Sequence, residues 1–148
     1  VRSASVRFAS VEQFDMDNAI WTMPAETLKG LKGANQDFRV PLSTEAMSVV
    51  SKAMEQSKGN LLFSISGRAP ISDVTMSKWM KEQGIAARPH GFRSTLRTWS
   101  EDQRIPYEVA ETTLGHAIGS KVERAYQRSD LIEQRREQLQ SYSDYLTG

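Results

Sequence analysis

The chain has 148 residues, 39% of them hydrophobic, so it is long enough for one domain with a buried core. It contains no cysteine and only two histidines, which excludes disulfides, a thiolate nucleophile and a cysteine-ligated zinc, and argues against metal catalysis. The formal net charge of +1 speaks neither for nor against nucleic acid binding, because local clusters of basic residues matter more than the total.

The sequence has no feature of a membrane or secreted protein. No apolar run approaches the roughly 20 residues needed to cross a bilayer, and the first residues lack the pattern of a signal peptide. We therefore expect a soluble intracellular protein. Residues 1–4 carry no helix cap or other start signal, so we also expect the printed chain to begin inside a longer protein.

The N-terminal third predicts a small antiparallel sheet. Strand-forming residues at 20–23 and 38–40 flank the stretch 29–35, whose glycines and asparagine suit a long hairpin. Helical spacing of apolar residues dominates the remainder. One predicted helix is capped by Ser43 or Thr44 and ends near Lys58, and the next is capped by Ser72 or Asp73 and ends at Gly84. Further helices are predicted at about 92–103, 106–114, 120–128 and 130–146. The fold class is thus α+β, mainly helical, with the sheet near the N-terminus packed on the helices.

The predicted helix at 130–146 is amphipathic. Its apolar residues stand among charges such as Glu133, Arg135, Arg136 and Glu137. It either packs on its own domain or docks on a neighbouring protomer, and the sequence favours neither. The three tryptophans have apolar neighbours and are predicted core residues: Trp21, Trp79 and Trp99.

The most informative pattern lies in the C-terminal half. The motif PHGFR (89–93) is followed by LGH (114–116) and then by AYQR (125–128). His90 and Arg93 form an i,i+3 pair on one helix face, so both can address a single anionic group. Two histidines, an arginine and a tyrosine in this order indicate phosphoryl transfer without a metal, with Tyr126 as the candidate nucleophile.

Each of these residues also has an ordinary structural interpretation. A lone tyrosine on a helix usually packs at the edge of a core. A His-x-x-Arg pair is usually a solvated surface pair. The combination and its order favour the functional interpretation.

Together the motifs resemble the catalytic domain of the tyrosine recombinases, most closely the integrases of satellite phages and genomic islands. The likeness covers almost the whole chain, because WTMPAE (21–26) leading to Lys29 and VPLS (40–43) match as well. The family has an arginine about twenty residues before its Trp-x-x-Pro stretch, and this chain has Arg2 there. It departs from the family pattern at Ser5, where a glutamate is common, and at Val11, where a tryptophan is usual.

The resemblance implies DNA integration by site-specific strand cleavage and rejoining through a 3′-phosphotyrosyl intermediate, with no ATP, metal or other cofactor. The implied catalytic residues are Arg2, Lys29, His90, Arg93, His116 and the nucleophile Tyr126. Arg2 and Arg93 would clamp the phosphate. His90 would act as general acid and base, His116 would donate to the phosphate, and Lys29 would protonate the leaving 5′ oxygen.

The resemblance also implies partners and organisation. The expected partners are double-stranded DNA attachment sites, further protomers in a synaptic tetramer and accessory DNA-bending proteins, without a membrane. Residues 1–148 would form the catalytic domain, without the arm-binding and core-binding domains of the family. The expected location is the cytoplasm of a bacterial host that carries a prophage or another mobile element, in association with the nucleoid.

Two alternatives stay open at this point. One is a type IB topoisomerase-like enzyme that shares the tyrosine chemistry but only relaxes DNA. The other is a catalytically silent DNA-binding or interaction module of the same fold. Ser5, which stands where the family commonly has a glutamate, favours this alternative. Assays of strand exchange, DNA relaxation and covalent trapping separate the three.

Overall fold

The computed structural model describes residues 1–28, 36–116, 118 and 129–148. The N-terminal part consists of a short helix and three strands, joined by two short 3₁₀ segments. Their bounds are α1 Ser3–Arg7, a 3₁₀ segment Val11–Gln13, β1 Phe14–Asp15, β2 Ile20–Met23, a 3₁₀ segment Ala25–Thr27 and β3 Phe38–Pro41. Five longer helices follow: α2 Thr44–Gln56, α3 Thr75–Glu82, α4 Gly91–Asp102, α5 Tyr107–Thr113 and α6 Ile132–Thr147. The fold is α+β and mainly helical, as predicted.

The three strands form one antiparallel sheet in the order β1, β2, β3. Trp21 of β2 pairs with Phe14 on one side and Val40 on the other. Its ring stacks on Phe14 with the centroids 5.2 Å apart, and its Nε1 donates to Gln13 Oε1 at 3.0 Å. The sheet therefore buries one face in the core that Trp21 shares with Met23. The predicted hairpin tip at 29–35 lies outside the described residues, as does the predicted helix at 120–128.

Most helix bounds agree with the sequence to within two residues, and local hydrogen bonds explain them. The Ser43 hydroxyl accepts from the Ala46 N–H and caps α2, as one of the two predicted candidates. Gly84, two residues after the end of α3, has φ +72° and so cannot continue the helix. Pro106 was expected inside the first turn of α5, but it is the residue before it, with an extended ψ of 136°.

Two expectations for α3 are wrong. The helix begins at Thr75, because the Ser72 hydroxyl accepts from the Val74 N–H and closes a turn ahead of the helix. Trp79 is not a core residue. It is 57% exposed, because α3 turns its neighbour Met80 to the core.

The C-terminal helix α6 packs on its own chain, and it does so through polar side chains. Gln138 is buried between α4 and α5, where its Nε2 donates to Ser100 Oγ at 2.8 Å and its Oε1 accepts from Thr113 Oγ1 at 2.6 Å. Ser100 in turn donates to the Leu96 carbonyl at 2.7 Å. One amide thus joins three helices.

Arg135, which the sequence suggests is a surface charge, is fully buried against β3. Its two terminal nitrogens donate to the carbonyls of Asp130 and Arg39, and its Cζ lies 4.9 Å from the centre of the Phe38 ring. Burial lowers the pKa of Arg135 to about 10, and it stays charged at neutral pH. The side chains of Arg39 and Asp130 form a two-pronged ion pair beside it, at 2.8 and 2.9 Å.

We expect Gln138→Ala to lower the free energy of unfolding by about 2–3 kcal/mol, because it leaves a cavity and strands the buried Thr113 hydroxyl. Gln134→Ala is the matched control, since Gln134 is an exposed residue of the same helix. It should change stability by less than about 0.5 kcal/mol. Urea unfolding monitored by circular dichroism measures both. Equal losses for the two variants would show that the buried hydrogen bonds are not what holds α6.

Candidate active site

Arg93, in the first turn of α4, reaches across to the turn that follows α5. Its Nη2 donates to the Leu114 carbonyl at 2.8 Å and lies 3.0 Å from Nε2 of His116. The two motifs that contain these residues are more than twenty positions apart in the chain, and the packing of α4 on α5 joins them. Arg93 is half-buried.

Gly115 creates the turn that presents His116. Its φ of +68° lies in the left-handed region that favours glycine, and an added Cβ would lie 3.4 Å from Cζ of Phe38. After Gly115 the backbone folds back against the last turn of α5, where the His116 N–H donates to the Glu111 carbonyl at 3.0 Å. The imidazole of His116 is about half exposed, at 45%.

Arg2 lies beside Arg93, although the two are 91 positions apart in sequence. Both line one cavity, together with Ser5, Phe38 and Gly115 among others. Burial and the neighbouring Arg2 guanidinium lower the pKa of Arg93, while Glu111 raises it. Two cations held this close form a site of positive potential that favours an anion.

His90 occupies the position directly before α4. Its backbone is already helical, and its carbonyl accepts from the Arg93 N–H at 3.2 Å, so the predicted i,i+3 relation is present. The imidazole is exposed and forms no hydrogen bond within the described part of the chain. The remaining two candidates, Lys29 and Tyr126, lie outside the described residues.

The sequence reasoning missed Glu111 of α5. Its Oε2 lies 2.7 Å from Nδ1 of His116, and its Oε1 accepts from Nε of Arg97 at 2.6 Å. Only 13% of its side chain is exposed. Burial raises the pKa of Glu111, but the hydrogen bonds from His116 and Arg97 outweigh burial, so the net shift is downward. Its spacing of five residues before His116 is the one signal that could have drawn attention to it.

Glu111 makes the stability of this region sensitive to acid. Its pKa is lowered in the folded chain, so its contribution is present above the ordinary value of about 4.3 and is lost as the pH falls through the lower folded value. We expect Glu111→Gln to lower the free energy of unfolding at pH 7 by about 1 kcal/mol. The difference from wild type should shrink below about pH 4.5. Urea unfolding of both proteins at stepped pH measures it, and a difference that stays constant would contradict this expectation.

The geometry defines a class of site. The two guanidinium groups at one cavity can bind the oxygens of a phosphate-like anion, because both donate to acceptor oxygens, and the His116 imidazole lies 3.0 Å from one of them. Among the described residues, no group of three or more histidine, aspartate or glutamate side chains could hold a metal ion. The described helices include none that is both long and apolar enough to cross a membrane.

Comparison with known proteins agrees with this class. Residues 1–131 match the phage integrase family. The chain therefore belongs to the phage integrase family, and the predicted relation to the tyrosine recombinases is confirmed.

Individual relatives agree with the family. The chain is 31% identical to prophage integrase IntA of Escherichia coli K12 over 97% of its own length and 35% of the relative's. It is 30% identical to the integrase of Enterobacteria phage P4, with 99% and 37% covered, and 26% identical to that of Shigella phage Sf6, with 99% and 38% covered. The chain thus spans a little over a third of the length of these relatives. No solved structure matches it significantly.

Proposed function

We propose that the chain is the catalytic domain of an integrase that cuts and rejoins double-stranded DNA at specific sites. The observation that supports this best is the contact between Arg93 and His116 beside Arg2, 3.0 Å from nitrogen to nitrogen. A DNA phosphodiester repels nucleophiles, and negative charge spreads over its non-bridging oxygens in the transition state. Donors fixed in advance around one anion site answer that requirement.

In this proposal Tyr126 is the nucleophile. Its hydroxyl oxygen attacks the phosphorus and forms a 3′-phosphotyrosyl bond, while the bond from phosphorus to the 5′ oxygen breaks. His90 takes the proton of the tyrosine hydroxyl, and Lys29 gives a proton to the leaving 5′ oxygen. A 5′-hydroxyl of another strand reverses these steps, so the bond energy is kept and neither ATP nor a metal is required.

The proposal extends to organisation and partners. Residues 1–148 would act as the catalytic domain, and the rest of a protein of the relatives' length would hold the arm and core sites of the DNA. Strand exchange requires two duplexes and therefore several protomers, which we propose form a synaptic tetramer on attachment-site DNA with accessory DNA-bending proteins. The place of action would be the nucleoid in the cytoplasm of a bacterial host.

Covalent trapping tests this function. The full-length protein is incubated with a nicked duplex that carries its attachment site, in the presence of a metal chelator and without ATP. We expect a protein–DNA adduct that resists denaturation, and peptide mapping should locate it at Tyr126. An adduct on Tyr107, Tyr142 or Tyr145, or none at all, would contradict the proposal. Relaxation of supercoiled DNA without strand exchange would favour the topoisomerase-like alternative.

A further inference from the structure

We propose that Glu111 is a positioning residue of this site, which fixes the protonation pattern of His116 and so sets how His116 and Arg93 meet the phosphate. The inference rests on the proposed function for its consequence in catalysis. Its structural basis is independent of that function, because it comes from two short contacts of one carboxylate, 2.7 Å to His116 and 2.6 Å to Arg97.

The donors and acceptors around His116 allow one arrangement of the neutral ring. The Glu111 carboxylate only accepts, so Nδ1 of His116 carries the hydrogen. The Arg93 guanidinium only donates, so Nε2 is the acceptor at 3.0 Å. Glu111 thereby turns the lone pair of His116 towards Arg93 and holds the pair together before any anion arrives.

The same carboxylate determines the form in which His116 meets a bound phosphate. Phosphate oxygens accept hydrogen bonds, so Nε2 must carry a hydrogen to donate to one. The tautomer with hydrogen on Nε2 alone would put the lone pair of Nδ1 against the Glu111 carboxylate, which is repulsive. His116 therefore donates as the imidazolium, with a proton taken from solvent through its exposed face, and Glu111 provides the opposite charge.

Arg97 makes the arrangement testable, because it occupies the other oxygen of Glu111. Arg97 also donates only, at 2.6 Å. Glu111→Gln replaces one carboxylate oxygen by an NH₂ group. We expect the remaining oxygen to stay with Arg97, which is charged and can only donate, so the NH₂ group faces Nδ1 of His116. The ring must then move its hydrogen to Nε2, where it faces the N–H of Arg93. The substitution keeps the shape and reverses the tautomer.

The tautomer is read directly from the ¹⁵N NMR spectrum of the two histidine rings, recorded at a pH at which both rings are neutral. The His90→Asn variant identifies which signals belong to His116. We expect hydrogen on Nδ1 of His116 in the wild type and on Nε2 in Glu111→Gln. Single-turnover cleavage by the full-length protein should fall about 10- to 100-fold in the same variant, because a neutral Nε2–H is a weaker donor to phosphate than the imidazolium that the Glu111 carboxylate balances. Glu101→Gln removes the exposed partner of Arg97, 63% exposed, and should change neither readout.

Arg97→Gln tests whether Glu111 acts by orienting His116 or only by attaching α4 to α5. It breaks the bridge between these helices but leaves Glu111 on His116, so the Nδ1 tautomer should persist. Hydrogen on Nε2 in the wild type, an unchanged tautomer in Glu111→Gln, or wild-type cleavage by that variant would each overturn the inference. If the wild-type protein formed no adduct with DNA, the proposed function would fail, while the NMR result would still decide the role of Glu111 towards His116.

Discussion

Replacement of Tyr126 by phenylalanine should abolish the covalent protein–DNA adduct, with a loss of at least about 10³-fold in cleavage. The substitution removes one oxygen atom and keeps the ring, so any packing role of Tyr126 is preserved. Without that oxygen no bond to phosphorus forms. The measurement is denaturing electrophoresis of the full-length variant with nicked attachment-site DNA.

Tyr107→Phe is the matched control for this prediction. Tyr107 is 62% exposed, and its ring contacts Arg97, with 5.6 Å from Cζ to the ring centre. Phenylalanine keeps that ring contact, so this variant should form the adduct as the wild type does. If the adduct persisted in Tyr126→Phe, another residue would be the nucleophile. DNA binding by Tyr126→Phe, measured by gel shift, should match the wild type and so show that the loss is chemical.

Arg93→Lys should reduce single-turnover cleavage by about 10²- to 10³-fold, although the positive charge is kept. The guanidinium donates to the Leu114 carbonyl, contacts His116 and still presents further N–H groups to the cavity that it shares with Arg2. A lysine ammonium is a single point that cannot span these partners. We therefore expect loss of cleavage with little loss of DNA binding.

Arg104→Lys is the control for Arg93→Lys. Arg104 is exposed beyond the end of α4, so the exchange should leave cleavage within about twofold of the wild type. Cleavage by Arg93→Lys at the wild-type rate would mean that charge alone suffices at this position. Weakened binding with unchanged cleavage of bound DNA would assign Arg93 to DNA affinity instead of catalysis.

Local signals explain what could be predicted of the fold. The serine cap of α2, the glycine after α3 and the strand-forming residues of β2 act over a few positions, so their elements lie close to where the sequence puts them. The start of α3 was misplaced because Ser72 can close a turn as readily as cap a helix. The exposure of Trp79 depends on what packs against α3, and helical spacing does not specify that.

The residues of the candidate site likewise divide into those that local sequence relates and those that only the packing brings together. His90 and Arg93 are close in sequence, so a helical spacing relates them without knowledge of the fold. Tyr126 and Lys29 were assigned from motifs, lie outside the described residues and remain predictions. Apart from its spacing of five residues before His116, Glu111 carries no signature that distinguishes it from other helical glutamates, because its role arises only where α4 and α5 meet.

The sequence by itself determined the family, strands β2 and β3 and most of the longer helices, because propensities, caps and motifs act over short stretches. The resemblance implied that Arg2 and Arg93 address one phosphate, and both line one cavity. Only the tertiary structure decided that Glu111 meets His116 and Arg97 and that Arg135 packs against β3. A charged residue on an amphipathic helix normally lies in solvent. Arg135 is buried instead because carbonyls of two other segments and the Phe38 ring are positioned by the fold to receive it.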